Sequence, residues 1–334
     1  MDRVSATLRV HYLTHTEIQP FCAMHNGHLL GAIAFGAGGE REAPDCPFAR
    51  IHLPTLEQPP VLELWTSGQP VVRQNQRGID TARNEEVLFG CLQVDANAPL
   101  DNSVYDAYCR IFDIGNRLGY SHLLRVWHYL PRINEDSDGL ERYRRFNVGR
   151  HEAFRSRNRS VEHCAPAACA LGTREGPFTI YFLAAREAGE PVSNPRQLDP
   201  YRYPTLYGPR GPAFSRAMLA KVGGEPVLFI SGTASIVGHE TVHAGDAIAQ
   251  ADETAENLRA VMGQFRAKHS EHADDRAQKC FRVYVRNPEN LYAVRERMNR
   301  AFTPENIVIY LQADICRSDL LLEVEGVLIA GASA

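Results

Sequence analysis

The clearest pattern along the chain is an order of apolar and amphipathic segments that occurs twice. In the first occurrence VLFGCLQVD is a continuous apolar run of the buried-strand type. NSVYDAYCRIFDIGNRLGY follows with helical spacing through Val104, Tyr108, Ile111, Phe112 and Leu118, and Gly119 suits a helix C-terminal cap. HLLRVWHYLPRI predicts a strand stopped near Pro131, LERYRRFNVGRHEAFR a second helix, and CAPAACALG with FTIYFLAA two closing strands. From Glu225 the order returns as VLFISGTASI, AGDAIAQADETAENLRAVMGQF, CFRVYVRN, PENLYAVRERMNRAF and NIVIYLQADICRSDLLLEVEGVLIA. Each copy reads β-α-β-α-β-β over roughly 100 residues, the size of an ordinary domain.

Two stretches fall outside the repeat. Residues 1–75 read as short strands and loops: SATLRVHYL, HLLGAIAFGA, VLELWTSG and PVVRQ, with GAGGEREAPDCP as a surface loop. Residues 189–224 form a long connection that matches neither period until FSRAMLAK. Tyr201, Tyr203, Tyr207 and Phe214 would be costly left in water, so this connection is expected to pack down rather than act as an inert linker. The expected fold is therefore α+β. It comprises an N-terminal β-rich region (1–75), two degenerate copies (76–188 and 225–334) with helices packed on mixed sheets, and the connection between them.

The last stretch, Asn306–Ile329, reads as a strand pair that carries the most suggestive side chain. Glu323 is flanked by Leu320, Leu321, Leu322 and Val324, and alternation places it with Glu325 on the face opposite Leu322 and Val324. A carboxylate in an apolar strand loses hydration, so its pKa should rise and a proton should stay available near neutral pH. An edge strand with one solvated face accounts for the same residues. The corresponding strand of the first copy has Thr179 or Tyr181 there, so at most one copy retains the acid.

Composition narrows the partners. The 334 residues are 44% hydrophobic and 23% charged, with a net charge of -4, which gives no reason to expect nucleic acid or an anionic membrane. A small anionic substrate needs only a few local arginines. The eight cysteines form no CxxC pair, and no stretch reaches the length of a membrane helix, so a reducing cytoplasm is the simplest address.

Several constellations compete for a chemical role. His239-Glu240-Thr241-Val242-His243 matches the HExxH zinc signature, but Gly238 and Gly245 favour a loop over the helix it requires, and no metal site is expected. The small residues Ser231, Gly232, Thr233, Ala234 and Ser235 end a strand and would let the backbone approach a ligand, or mark a bulge. Arg202, Arg210 and Arg216, interleaved with Tyr203 and Tyr207, could clamp a carboxylate, as could Arg150, which alone would read as a helix-dipole partner. Cys316 is either inert packing or part of a site shaped around the acid.

Taken together these segments resemble a known family. The second copy, with VLFISGTAS, GDAIAQADETAENL, FRVYVRN and RSDLLLEVEGV, is similar to the YjgF/RutC/RidA superfamily. With NPRQ…YRYPTLYGPRGPAFSRA and SGTASIVGHET added, the chain resembles the chorismatases. The resemblance implies cleavage of chorismate into pyruvate and a cyclic carboxylic acid, without cofactor or metal. It points to Glu323 as proton donor, with Gly232 and Cys316 at the positions associated with 3-hydroxybenzoate formation. Arg216, Tyr207, Arg150, Tyr203 and Ala234 would contact the substrate. HYLTHTEIQPF and QVDANAPLDN resemble the bifunctional members of pigment pathways, which also form 4-hydroxybenzoate. The alternatives are a hydrolytic, FkbO-type chorismatase and a YjgF-like small-metabolite or deaminase protein. If the two copies and the N-terminal region mimic a trimer within one chain, a monomer would suffice.

Overall fold

The computed structural model describes residues 8–36, 43–94, 98–137, 139–268 and 277–330. The chain opens with β1 (Arg9–Leu13), α1 (His15–Met24), β2 (Leu29–Phe35), β3 (Phe48–Ile51) and β4 (Val61–Thr66), whose strands form a sheet in the order β1-β4-β2-β3. Then come β5 (Val72–Gln76), β6 (Ile79–Arg83), β7 (Val87–Gln93), α2 (Leu100–Leu118) and β8 (His122–Pro131). The short β9 (Asp136–Ser137) and β10 (Leu140–Glu141) lead into α3 (Arg142–Ser156), α4 (Val161–Cys164), β11 (Ala167–Thr173) and β12 (Thr179–Ala185). A six-stranded sheet in the order β11-β8-β12-β7-β6-β5 results.

The remainder repeats that plan with β13 (Glu190–Val192), β14 (Ala217–Val222), β15 (Glu225–Thr233) and a small hairpin of β16 (Ile236–Val237) and β17 (Glu240–Thr241). It continues through α5 (Ala247–Lys268), β18 (Gln278–Val285), α6 (Leu291–Ala301), β19 (Ile307–Gln312) and β20 (Leu322–Ile329). The second six-stranded sheet runs β13-β14-β15-β20-β18-β19. In each six-stranded sheet one parallel pair, β8 with β11 and β18 with β19, is joined through a crossover helix.

The sequence pattern explains these elements. In α2 the buried side chains Val104, Ala107, Tyr108, Ile111 and Phe112 recur at helical spacing, and Gly119 closes the helix with φ +82°. Three cores lie between a sheet and its helices, and a fourth is shared by one face of all three sheets. That shared core holds Phe35 and Trp65 of the four-stranded sheet, Phe89 and Trp127 of the first six-stranded sheet, and Phe229 and Tyr284 of the second. β20 therefore buries both faces: Leu322 and Val324 under the helices, Val327 and Ile329 in the shared core.

Three expectations are corrected. The N-terminal region, read as strands and loops, contains the helix α1. Thr14 and Glu17 form a reciprocal capping box, and packing of Ile18 and Phe21 on the sheet tolerates Pro20 inside the helix. The strand pair expected within Asn306–Ile329 is not a pair, because β19 lies against β18 while β20 lies between β15 and β18. For the same reason β20 is no edge strand, and Glu323 has no solvated face. FSRAMLAK contributes the strand β14, and β5, which straddles position 75, pairs with β6. Much of the loop expected at GAGGEREAPDCP, and residues 5–7 of the first expected strand, lie outside the described residues.

Candidate active site

Glu323 sits at one end of β20, directly opposite Tyr284 of β18. On its other side β15 carries an extra residue: Ile230 pairs with Gly326 and Thr233 with Val324, which leaves Ser231 and Gly232 in a bulge. Gly232 is needed there. A Cβ at that position would lie 2.0 Å from Glu323 Oε1. Ser231 pins the bulge by donating to the Ser215 carbonyl (2.5 Å) and accepting from the Ala168 N–H (2.9 Å).

The carboxyl is 3% exposed, and Oε1 has no hydrogen-bond partner among the described residues. Cys316 Sγ lies 3.9 Å from Oε2. Burial pushes the Glu323 carboxyl up to about 8, against the opposing pull of the Arg125 guanidinium and the Cys316 contact. Cys316 is itself pushed up to about 12, first by burial and then by Glu323, so it stands as a neutral thiol that shapes the wall rather than as a nucleophile.

Arginines face this acid across one cavity. Arg150, on the buried side of α3, is 2% exposed, and its Nε and Nη2 have no partner among the described residues. Its guanidinium lies over the rings of Tyr108 (5.1 Å) and Phe146 (5.8 Å), which hold it without neutralising it. Arg216, 3% exposed, spends Nη2 on the Leu198 carbonyl (2.5 Å) and the Tyr203 hydroxyl (2.7 Å), while its Nε is unpartnered. A buried cation with open N–H groups is costly unless an anion completes it.

The stretch of the connection between β13 and β14 forms the roof of the cavity. It packs down, as its aromatic side chains require, through two turns at Pro200–Arg202 and Thr205–Tyr207. Leu198 N–H donates to the Gly238 carbonyl (2.7 Å) and Gly238 N–H to the Arg196 carbonyl (2.9 Å), which fixes the roof to the β16–β17 hairpin. Tyr207 stacks under Arg317 at 4.0 Å, and its hydroxyl meets His239 Nδ1 at 3.2 Å.

Glu323, Cys316, Gly232, Arg216, Tyr207, Arg150, Tyr203 and Ala234 all line this one cavity. Two of the weighed arginines do not. Arg202 is turned outward into an ion pair with Glu162 (2.6 Å), and Arg210 is exposed. The HETVH segment is a hairpin followed by a turn with His243 at φ +62°, so its histidines lack the one-turn helical spacing of a zinc protease. Sequence reasoning missed Arg317, Tyr143 and Phe214 on the cavity wall. Only the proximity of Arg317 to Cys316 hinted at its place. The uncertain correspondence in the first copy is also resolved, since Tyr181 faces Trp127 in the register in which Glu323 faces Tyr284.

Comparison with known proteins agrees with this arrangement. Residues 63–184 match the family model for the chorismatase FkbO/Hyg5-like N-terminal domain. The chain is 36% identical to a 3-hydroxybenzoate synthase of Streptomyces hygroscopicus, covering 90% of this chain and 91% of the relative. It is 39% identical to a chorismatase of Streptomyces rapamycinicus over 90% and 92% of the two chains. A chorismatase crystal structure superposes with a TM-score of 0.86 at 31% identity, over 97% of this chain and 98% of the other. With relatives this similar along nearly their whole length, the chain belongs to the chorismatase family.

Proposed function

We propose that the protein cleaves chorismate to pyruvate and 3-hydroxybenzoate, with Glu323 as the general acid. One observation carries this reading: a neutral, buried carboxyl with an open oxygen shares a cavity with two buried arginines whose N–H groups are open. Chorismate has two carboxylates and an enol ether. Arg150 and Arg216 suit the carboxylates, and Glu323 suits the enol methylene. A proton from Glu323 converts the methylene to a methyl group and leaves an oxocarbenium ion. The ring C3–O bond then breaks with its electron pair going to the side-chain oxygen, which becomes the pyruvate carbonyl.

Attack on C3 by the neighbouring 4-hydroxyl, followed by opening at C4 and loss of the C3 proton, gives 3-hydroxybenzoate and returns a proton. The two products account for every atom of chorismate. Attack by water would instead add one water and give a dihydroxycyclohexadienoate. Gly232 and Cys316, which touch the acid from two sides, favour the internal route. The eight cysteines are all free, which suits a reducing cytoplasm. A 4-hydroxybenzoate branch would be read in the same assay.

Incubation with chorismate and a chelator should give equimolar pyruvate and hydroxybenzoate by chromatography. Activity should fall as pH rises through about 8, where the acid form of Glu323 is lost. Unconsumed chorismate, or activity lost to the chelator and restored by zinc, would overturn the reading.

Arg150→Met tests the clamp. Losing a charged hydrogen bond of ~1.5–3 kcal/mol should raise KM roughly 10- to 100-fold. Because an unpaired buried cation is removed, Tm should hold or rise. A KM within twofold of wild type would remove Arg150 from the substrate site.

A further inference from the structure

Behind the cavity lies a buried ionic network drawn from all three sheets. Glu325, two residues beyond Glu323 on the same face of β20, pairs with both Arg125 of β8 and Arg282 of β18, the latter at 2.8 Å. Arg282 also pairs with Glu63 of β4, whose carboxylate takes a further bond from Trp65 Nε1 (2.6 Å). Tyr284 donates to Glu325, and Arg282 donates to the Tyr181 hydroxyl (2.8 Å). Arg125 and Arg282 occupy equivalent places in the repeat, in RVW and RVY. The two arginines and two glutamates balance in charge.

That balance bears on Glu323. Its surroundings contribute Arg125 from β8, Cys169 from β11, Tyr143 and Arg150 from α3, Arg216, Tyr203 and Tyr207 from the roof, Cys316 and Arg317 from the loop before β20, and Tyr284 and Arg282 from β18. Glu141 and Arg144 at the mouth neutralise each other at 3.1 Å. Arg125 is the cation that pulls on the Glu323 carboxyl, and Glu325 already claims it. Two carboxyls on one strand face thus meet opposite environments, one set between two guanidiniums and the other with no ion-pair partner among the described residues.

We propose that Glu325 and Arg125 are positioning residues for the reaction, a buried pair in which Glu325 occupies Arg125 and so keeps the neighbouring Glu323 protonated at working pH. This rests on the reading of Glu323 as the general acid. It gives Glu325 a role in the chemistry without contact with substrate.

The test is the pH dependence of kcat/KM in Glu325→Gln, Arg125→Gln and the double variant. Glu325→Gln frees Arg125 to stabilise the Glu323 carboxylate, so the basic limb should move down by about one pH unit, with activity recovering at lower pH. Arg125→Gln removes the pull and leaves Glu325 its bonds to Arg282 and Tyr284. Its limb should move up, and because no Arg125 remains for Glu325 to occupy, the double variant should follow Arg125→Gln rather than Glu325→Gln. Should Glu325→Gln fail to fold, the double variant set against Arg125→Gln decides: coincident limbs support the proposal, and a limb lowered by loss of Glu325 in the absence of Arg125 overturns it.

A 13C carboxyl titration, with Glu323 assigned by its absence in Glu323→Gln, reads the same shift without the reaction. Superimposable limbs and an unmoved Glu323 titration would overturn the proposal while leaving the function intact. A moved titration in an enzyme whose Glu323→Gln variant stays active would instead overturn the general acid role.

Discussion

Glu323→Gln should lower kcat by ~10²–10⁴-fold, the usual cost of losing a general acid. The amide keeps the shape of the neutral acid and a hydrogen-bond donor but has no proton to release. Because the carboxyl is pushed up to about 8, the native group is neutral at pH 7, so the amide adds no change in charge beside an anionic substrate. Chorismate affinity should therefore hold or tighten, and Tm should change little, since Oε1 makes no bond that the substitution could break. The measurement is kcat, substrate affinity and melting temperature together. A folded variant within a few-fold of wild type would remove Glu323 as the donor. Glu325 could not simply take its place, because both its oxygens are engaged by arginines.

Gly232→Ala should have the next largest effect, and on product identity as well as rate. The new methyl would sit 2.0 Å from Oε1 and 2.5 Å from Cδ of Glu323. The clashing atoms end a flexible side chain, so the carboxyl rather than the strand must yield, by roughly 1.5 Å to reach ordinary contact. Cys316 at 3.9 Å on the other oxygen limits where it can go. A misplacement of ~1 Å can cost on the order of 10²-fold, so 3-hydroxybenzoate formation should fall by about that much. Water attack needs no such close internal geometry, so the surviving product should shift toward the dihydroxycyclohexadienoate. The shift should be larger in Gly232→Ala/Cys316→Val. An unchanged product ratio in that folded, active double variant would show that the branch point lies elsewhere.

The repeat was legible because helix and strand periods are local properties of the side chains. α2, α3, α5 and α6, with the strands beside them, occur where the 3.6 and 2 periods place them. The acid was legible for a similar reason, since an apolar neighbourhood along the strand already predicts desolvation. α1 was less so. Its ten residues include Pro20, and it forms where its capping box and the packing of Ile18 and Phe21 on the first sheet outweigh the proline, a contact outside any local period.

The sequence by itself determined the α+β class, the duplicated order of elements, an apolar flank around Glu323 and a run of small residues ending the strand that became β15. Only the tertiary structure decided that β20 is an inner strand and that Arg150 faces the cavity while Arg202 turns to Glu162. It alone joined Glu63, Arg125, Arg282 and Glu325 across three sheets. Those pairings link positions up to 219 residues apart, and no local period carries that information. Which charge meets which is set by how three sheet faces close on one core.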